Sequence, residues 1–196
     1  MKGNLMSNQI DVAHSIQGVS KGRPDGDFYP TPPYATRELL KREVFRGSIY
    51  EPACGDGAIS EVLKDTYPNQ KIYSTDLFDR GYGDKSGIDF ITYDYKDFKV
   101  DNIITNPPYS LAQDFVVKSL QITNQKVAML LKIQFLEGKK RYEMFQNTPL
   151  KTVYVFSKRL NMTRNGDKMK NSTMLCFAWF VWEKEYANKP YINWIK

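Results

Sequence analysis

Short apolar runs alternate with segments of helical periodicity from Phe28 onward. Strands that alternate with helices build a parallel sheet, because each parallel pair needs a long crossover and a helix supplies it. Predicted strands lie near residues 48–51, 71–75, 88–92, 102–105, 127–132, 152–156 and 174–183, and predicted helices near 33–44, 58–67, 111–123 and 138–147. The pattern therefore predicts an α/β fold with a mostly parallel, seven-stranded sheet and helices on both faces.

The last two predicted strands are joined by the basic stretch 158–170, with no helical segment between them. Strands joined in this way pair antiparallel, so we expect a C-terminal antiparallel hairpin at the edge of the sheet. Two predicted helices also have candidate N-caps. Thr31 precedes prolines at the start of one helix, and Ser110 with Gln113 forms a capping-box pattern at the start of another.

A chain of 196 residues, 41% of them hydrophobic, can bury one good core and leaves no room for a second module of ordinary size. Residues 1–27 are polar and lack sustained periodicity, so we expect them to form a flexible arm. Residues 28–196 would then form the one folded domain.

The two cysteines, Cys54 and Cys176, lack the spacing of a metal site or of a disulfide framework. The first residues contain no apolar run suited to a signal peptide, and the chain has no stretch of about 18 consecutive apolar residues. We therefore expect a cytoplasmic protein with reduced thiols, no metal and no membrane partner. The oligomeric state is left open.

The net charge of +6 and the isoelectric point near 9.1 favour a polyanionic partner, because Lys and Arg side chains neutralise phosphates. Many basic proteins bind no nucleic acid, so a soluble basic surface remains the alternative on charge alone.

Residues 49–58 read IYEPACGDGA, in which a predicted strand enters a glycine-containing turn and then a helix. Gly55 and Gly57 permit positive φ and let a ligand approach the backbone closely. The spacing is not the G-x-G-x-x-G of dinucleotide sites, which favours a smaller nucleotide-like ligand. An ordinary tight turn is the alternative.

Acidic residues follow the next two predicted strands. Asp76 lies at the end of the second strand, where a carboxylate after a glycine-rich turn can accept hydrogen bonds from ribose hydroxyls. Asp94 lies at the end of the third, where it could accept from an adenine amino group, or it could be a solvated loop acid.

The fourth predicted strand leads into Asn106, Pro107, Pro108 and Tyr109. The prolines remove two N–H donors and leave carbonyls that only accept, while Asn106 adds an amide and Tyr109 an aromatic face. The Asn106 amide oxygen and the Pro107 carbonyl can each accept one N–H of an exocyclic NH₂, and Tyr109 can stack on the ring that carries it. The segment therefore predicts a site for a planar amine.

These segments, with FYPTPP at residues 28–33 before them, resemble the amino-methyltransferases in which the cofactor motif precedes the NPPY motif. The chain is most similar to the compact adenine methyltransferases of bacteriophages. The named motifs span residues 28–136, and EPACGDG with NPPY is a specific pair. The resemblance implies the Rossmann-like class I methyltransferase fold, S-adenosylmethionine as cofactor, and methylation of the N6 amino group of adenine in DNA.

The resemblance also implies roles for individual residues. Tyr29 and Thr31 would contact the methionine end of the cofactor, Asp76 would hold its ribose and Asp94 its adenine. The implied cofactor-binding residues are Tyr29, Thr31, Glu51, Pro52, Ala53, Cys54, Gly55, Gly57, Asp76, Leu77, Asp94, Tyr95 and Asn106. The implied catalytic residues, which would hold the target base, are Asn106, Pro107, Pro108 and Tyr109.

Unlike the larger members of this group, the chain has no separate target-recognition domain, so we expect low or short sequence specificity. The candidate nucleic-acid-binding residues are Lys139, Lys140, Arg141, Lys158, Arg159, Arg164, Lys168 and Lys170. Lysine and arginine side chains of this kind bind phosphates and do not by themselves recognise the base sequence. A solvated basic face is the alternative for each cluster.

Other functions fit parts of the pattern. The same acceptors for a planar amine or amide also suit an RNA adenine or guanine N-methyltransferase, which is the chief alternative. They suit a protein-glutamine methyltransferase as well. Cytosine N4 is disfavoured, because those enzymes more often have Ser where Asn106 stands. A non-catalytic nucleic-acid-binding protein would be expected to lose pocket residues that this chain retains.

Overall fold

A seven-stranded sheet runs through the part of the chain that this computed structural model describes, residues 28–162 and 175–196. The helices are α1 (Pro33–Leu40), α2 (Ala58–Thr66), α3 (Ala112–Ile122) and α4 (Lys139–Gln146). The strands are β1 (Ile49–Glu51), β2 (Ile72–Ser74), β3 (Val100–Thr105), β4 (Thr123–Lys132), β5 (Leu150–Phe156), β6 (Phe177–Glu183) and β7 (Tyr191–Ile195). Short 3-10 helices, Tyr109–Leu111 and Ile133–Leu136, follow β3 and β4.

The strand order is β2-β1-β3-β4-β6-β5-β7. β1 pairs in parallel with β2 and β3, β3 with β4, and β5 with β7, whereas β6 is antiparallel to both β4 and β5. The mostly parallel sheet and its antiparallel C-terminal strands are confirmed. β1 to β5 all end on the same side of the sheet, which we call the carboxyl end.

The predicted strand at residues 88–92 is wrong. These residues form turns, and the Asp89 carboxylate accepts the backbone N–H of Ile91 at 2.9 Å. Local side-chain bonds of this kind compete with strand pairing. The place next to β2 where that strand would pair is taken by a short bridge between Thr75 and Lys85.

The seventh strand is β7, which was not predicted. Four of its five residues are exposed and they lack the alternation of apolar and polar side chains that marks a half-buried strand. β7 pairs along β5, so the antiparallel pair of β5 and β6 lies one strand inside the edge where we expected it.

The central strands alternate between two hydrophobic cores, one on each face of the sheet. Ile103 packs in the core that includes α3, whereas Ile104 packs in the core that includes α1 and α2. On β6 the fully buried Trp182 and Trp179 divide between the two cores in the same way. The Trp179 indole donates a hydrogen bond of 2.9 Å to the Ala35 carbonyl, which fixes α1 against the sheet.

A charge network lies at the opposite end of the sheet, where β4 and β5 begin. Glu43 is 3% exposed and accepts hydrogen bonds from Lys126 at 2.6 Å and Tyr154 at 2.8 Å. Lys151 lies 3.4 Å from Glu43 and 2.8 Å from Glu183. Burial raises the pKa of Glu43, but the hydrogen bonds and the lysine charges outweigh burial and hold that pKa below its usual range.

Both predicted N-caps are wrong. α1 follows Pro32 without a side-chain cap, because the Thr31 hydroxyl instead accepts a hydrogen bond from the Asn106 amide at 3.1 Å. Ser110 lies inside a 3-10 helix, so α3 begins after Leu111 and also lacks a side-chain cap.

In residues 28–162 and 175–196 no helix has the length and apolarity needed to cross a membrane. The same ranges contain no group of three or more His, Cys, Asp and Glu side chains that could hold a metal ion. Cys54 is buried and Cys176 exposed, and both are free thiols.

Candidate active site at the carboxyl end of the sheet

The turn between β1 and α2 requires glycine twice. Gly55 has φ of +56° and Gly57 of +87°, as the sequence predicted. A Cβ on Gly55 would lie 2.3 Å from the Phe28 ring, and one on Gly57 would lie 2.5 Å from the Tyr82 ring. The backbone of this turn is therefore packed against two aromatic rings, and a side chain at either glycine would displace one of them.

Asp76 holds the ends of β1 and β2 together. One of its carboxylate oxygens accepts the Gly55 N–H at 2.8 Å, and the other accepts the Phe78 N–H at 2.9 Å. Each oxygen has a second acceptor position. Asp76 can therefore position the glycine turn and still accept hydrogen bonds from hydroxyl groups.

Burial raises the pKa of two ionisable groups of the turn. Burial raises the pKa of the Glu51 carboxyl well above its usual range, although the Ser60 hydroxyl donates a hydrogen bond to it. Burial also raises the pKa of the Cys54 thiol to about 12. A thiol that stays protonated is a poor nucleophile, so Cys54 has a packing role at neutral pH.

Asn106 follows the last residue of β3, and its amide is fixed by contacts from the chain that precedes α1. Its Nδ2 donates to the Tyr29 carbonyl at 3.0 Å and to the Thr31 hydroxyl at 3.1 Å. A carbonyl only accepts, so the orientation of the amide is determined. The Asn106 Oδ1 is buried and has no hydrogen-bond partner among the described residues.

The two prolines after Asn106 differ in what their carbonyls do. The Pro108 carbonyl accepts the Leu111 N–H at 2.9 Å and so begins the 3-10 helix. Pro107 is buried beside Asn106 in the chain, and its carbonyl stays the predicted second acceptor for a planar amine.

The Tyr109 ring packs against side chains from several elements of the sheet's carboxyl end. The Tyr29 ring is stacked on it with centroids 6.0 Å apart, and the Phe177 ring lies at 5.8 Å. The ammonium of Lys132, the last residue of β4, is 4.4 Å from the Tyr109 centroid. Tyr109 therefore joins the ends of β3 and β4 to the start of β6.

The residues predicted to bind a cofactor adenine do not lie at a strand end. Asp94 is exposed in a turn and accepts the Lys96 N–H at 3.0 Å. Tyr95 is 8% exposed, and its hydroxyl bonds that of Tyr50 at 2.9 Å, so it packs in the core and its contact with a cofactor stays a prediction. Leu77 is half exposed beside Asp76.

The sequence interpretation did not single out Asp89, which lies in the segment that follows β2. The Ile88 N–H donates to the Asp76 carbonyl at 3.1 Å, which ties this segment to the end of β2. Asp89 is half-buried, and Ile88 and Phe90 on either side of it are buried. The signal in the sequence was an acid between two large apolar residues, a pattern that places the acid next to buried positions.

The basic residues after β4 and β5 are exposed at the carboxyl end. Lys139 and Lys140 begin α4, and Lys158 and Arg159 follow β5. Arg141 is held by its own loop, with its Nε donating to the Glu137 carbonyl at 2.6 Å. The other predicted basic residues, Arg164, Lys168 and Lys170, lie outside the described residues.

No protein-family model matches the chain, and no curated protein matches it either. Solved structures do match. A protein of Listeria monocytogenes assigned to the class I S-adenosylmethionine-dependent methyltransferases is 11% identical with a TM-score of 0.57, over 83% of this chain and 62% of the other. A modification subunit assigned to a type I restriction enzyme of Vibrio vulnificus is 12% identical with a TM-score of 0.58, over 94% and 49%.

A third match is the magnesium protoporphyrin IX methyltransferase of Synechocystis with bound S-adenosylhomocysteine, 9% identical with a TM-score of 0.51, over 78% of this chain and 80% of the other. This chain covers less than two thirds of the length of the Listeria protein and of the Vibrio protein. It has the Rossmann-like fold of the class I methyltransferases.

Proposed function

We propose that this protein transfers a methyl group from S-adenosylmethionine to the exocyclic N6 amino group of adenine in DNA, with low or short sequence specificity. The class I methyltransferase fold supports methyl transfer. The choice of an amine as acceptor rests on Asn106. The choice of a nucleic acid rests on the exposed basic residues at the same end of the sheet, and the choice of DNA on the likeness to a modification subunit.

The observation that carries the proposal is the Asn106 side chain. Its nitrogen is occupied by Tyr29 and Thr31, while its buried Oδ1 has no partner in residues 28–162 or 175–196. A buried acceptor without a partner is costly, and such a group is usually satisfied by a water molecule, an ion or a ligand. A planar amine that donates an N–H to Oδ1 would satisfy it.

Asn106 and Pro107 together explain how an amine could be made reactive. Each oxygen would hold one amine proton and draw the nitrogen toward a tetrahedral shape, which frees its lone pair from conjugation with the ring. Positioning of this kind does not need a strong base. Tyr109 would recover part of the stacking that the base loses when it leaves the duplex, about 1–3 kcal/mol.

The glycine turn fits the cofactor. S-adenosylmethionine supplies, when bound, a methyl group already activated on a sulfonium. Asp76 has acceptor positions for the two ribose hydroxyls, and the remaining residues assigned to the turn, Glu51 to Gly57, bring the backbone close to it. Tyr29 and Thr31 would contact the methionine end while they hold Asn106.

Asp89 is a better candidate than Asp94 for the acceptor of the cofactor adenine. Asp89 is half-buried and its segment is bonded to Asp76, whereas Asp94 is exposed in a turn and bonded to Lys96. An acceptor that recognises an adenine amine must be partly shielded from water to discriminate it.

A nucleic-acid substrate is supported by the exposed basic residues at the same end of the sheet, Lys139, Lys140, Lys158 and Arg159. The likeness to a modification subunit of a restriction enzyme supports DNA. Phosphate contacts made by such residues give affinity without sequence readout.

The test is incubation of the full chain with S-adenosylmethionine and, separately, unmethylated duplex DNA, single-stranded DNA and RNA, followed by mass spectrometry of the released nucleosides. We expect N6-methyladenine from DNA. A product found only in RNA would replace DNA by RNA, and no product in any of the three would contradict the proposal.

The matched variants are Asn106→Ala and Asn188→Ala, because Asn188 is an exposed asparagine in the loop before β7. Asn106→Ala should lower the rate by about 10²–10³-fold, as the loss of one placed hydrogen-bonding group does in other active sites. Asn188→Ala should keep the wild-type rate. Equal rates for the two variants would remove Asn106 from the site.

A further inference from the structure

The surface that follows β4 combines exposed apolar side chains with exposed basic ones. Leu136, which ends the 3-10 helix, is 40% exposed, and Tyr142 in α4 is 66% exposed. Lys139 and Lys140, at the start of α4, are exposed as well. Lysines bind phosphates, and an exposed tyrosine ring can stack on a base. This surface therefore suits a partner that is anionic on the outside and aromatic within, as duplex DNA is.

The chain places this surface next to the proposed base site. Lys132 ends β4, and its ammonium is 4.4 Å from the centroid of the Tyr109 ring. The 3-10 helix begins at the next residue, and a rise of about 2 Å per residue places Leu136 about 8 Å along the helix from Lys132. That span is shorter than the width of the major groove, which is about 12 Å. A duplex whose base reaches Tyr109 is therefore also within reach of this surface.

Tyr142 is carried by a helix that is fixed to the core. The Arg141 guanidinium lies 5.3 Å from the centroid of the Phe135 ring, and the Phe145 ring lies 5.7 Å from it. Phe135 is buried, so these two residues, four positions apart, fix one side of α4. Tyr142 follows Arg141 by one position, about 100° round the helix, and shares its own side with Lys139. A fixed and exposed ring thus lies next to a phosphate-binding group.

A base that leaves a duplex opens a gap in the stack of bases. Tyr109 can stack on the displaced base, but a different ring is needed in the space that the base has left. Proteins that deform DNA often insert an apolar side chain between base steps, and the inserted group recovers part of the lost stacking. A ring outside the base pocket, beside a lysine, can fill the gap while Asn106 holds the base.

We propose that Tyr142 inserts into duplex DNA at the place that the target adenine leaves, with Lys139 at the adjoining phosphate. The inference rests on the proposed function, because it takes duplex DNA as the substrate and Asn106 as the group that holds the displaced base. Tyr142 does not touch the reacting atoms in this arrangement, so it is a positioning residue. It stabilises the opened duplex and should not matter for a substrate that is already single-stranded.

The first test measures DNA binding by the full chain with saturating S-adenosylhomocysteine, followed by fluorescence anisotropy. The probes are a duplex and the same duplex with one adenine replaced by an abasic site, which already contains the gap. The wild type should bind the abasic duplex about ten-fold more tightly, as one ring stacked on bases allows. Tyr142→Ala should bind the two duplexes equally, and Tyr142→Phe should keep the preference.

The second test compares methylation of duplex and single-stranded DNA of one sequence. Tyr142→Ala should lower kcat/KM about ten-fold on the duplex and leave the value on the single strand unchanged, a difference that a merely structural role would not produce. Tyr142→Phe should keep the wild-type rate on the duplex. The matched control is Tyr191→Ala, at a 44% exposed tyrosine that begins β7 and pairs with Thr152 at the opposite end of the sheet. It should change neither rate.

The inference is overturned if the wild type binds both duplexes alike, if Tyr142→Ala keeps the preference or Tyr142→Phe loses it, or if Tyr142→Ala lowers both rates by the same factor. The binding test is separate from methyl transfer, because it needs no reaction. A protein that prefers the abasic duplex through Tyr142 but yields no methylated nucleoside would contradict only the proposed function. One that methylates duplex DNA and binds the two duplexes alike would contradict only the inference.

Discussion

The two halves of the sheet, β2-β1-β3 and β4-β6-β5-β7, differ in the interactions that stabilise them. β4, β6 and β5 have ten, seven and seven residues and carry the largest fully buried side chains, among them Trp179 and Trp182. β1 and β2 have only three residues each. Yet β1, β2 and β3 deliver the glycine turn, Asp76 and Asn106. The long strands carry the two buried tryptophans, and β1, β2 and β3 lead into the residues that we assign to the chemistry.

The comparison shows how short strands can place groups accurately. A three-residue strand has few ladder hydrogen bonds, so side-chain bonds to backbone groups replace them at its end. Asp76 bonds the Gly55 and Phe78 amides, and Asn106 bonds the Tyr29 carbonyl. Damage to the long half should therefore cost stability, and damage to the short half should cost binding or rate.

The largest expected effect is on stability in the long half. Trp179→Ala removes a fully buried ring and the hydrogen bond to Ala35, and should lower the free energy of unfolding by about 3–5 kcal/mol. The control is Trp194→Ala on β7, where the side chain is 60% exposed and the change should stay within about 0.5 kcal/mol. Denaturant titration measures both, and similar losses would mean that the burial of Trp179 is not what stabilises the long half.

The next effect is on cofactor binding in the short half. Asp76→Ala removes a charged acceptor from the glycine turn and should weaken the binding of S-adenosylhomocysteine by about 10–100-fold in calorimetry. Asp79→Ala is the matched control, because Asp79 is exposed and bonds only its own turn at Gly81 among the contacts described. Unchanged affinity in Asp76→Ala would exclude Asp76 from the cofactor site.

A smaller effect concerns acid stability in the long half. The pKa of Glu43 lies below its usual range, so its contribution is fully present at neutral pH and is lost as the pH falls through that lowered pKa. Glu43→Gln should be about 1–2 kcal/mol less stable than the wild type at pH 7, with the difference shrinking in acid. Glu185→Gln, at an exposed site, should show no such convergence when denaturation is followed from pH 7 to pH 3.

The smallest effect is expected from the exposed lysines that begin α4. Lys139→Ala with Lys140→Ala should weaken DNA binding only a few-fold at moderate salt and reduce the slope of log affinity against log salt by about 2. Lys184→Ala with Lys189→Ala removes the same charge from the other end of the sheet. If both double variants changed the salt slope equally, DNA would not bind preferentially at the carboxyl end of the sheet.

The sequence predicted those parts of the fold and site that depend on local sterics. The alternation of strands and helices and the positive φ of Gly55 and Gly57 are short-range properties, and the structure has them. The position of Asn106 directly after a strand also follows from the local sequence pattern, and the structure has it. The segment at 88–92 had the composition of a strand, but the Asp89 side chain caps a turn there instead.

What the sequence could not predict depends on contacts between distant residues. The bond from Asn106 to the Tyr29 carbonyl joins residues 77 positions apart, and it decides which atom of the amide is left for a ligand. The contact between the Lys132 ammonium and the Tyr109 ring likewise depends on the pairing of β4 with β3. β7 was missed because pairing with β5, and not its own pattern, makes it a strand.

β6 lies between β4 and β5 although it follows both along the chain. During synthesis, one side of β4 and the partner side of β5 remain unpaired until the ribosome has released β6. These strands are apolar, and unpaired apolar strands are prone to aggregate. We expect a nascent chain arrested before residue 177 to need a chaperone, because β4 and β5 can join into one sheet only after β6 has been synthesised.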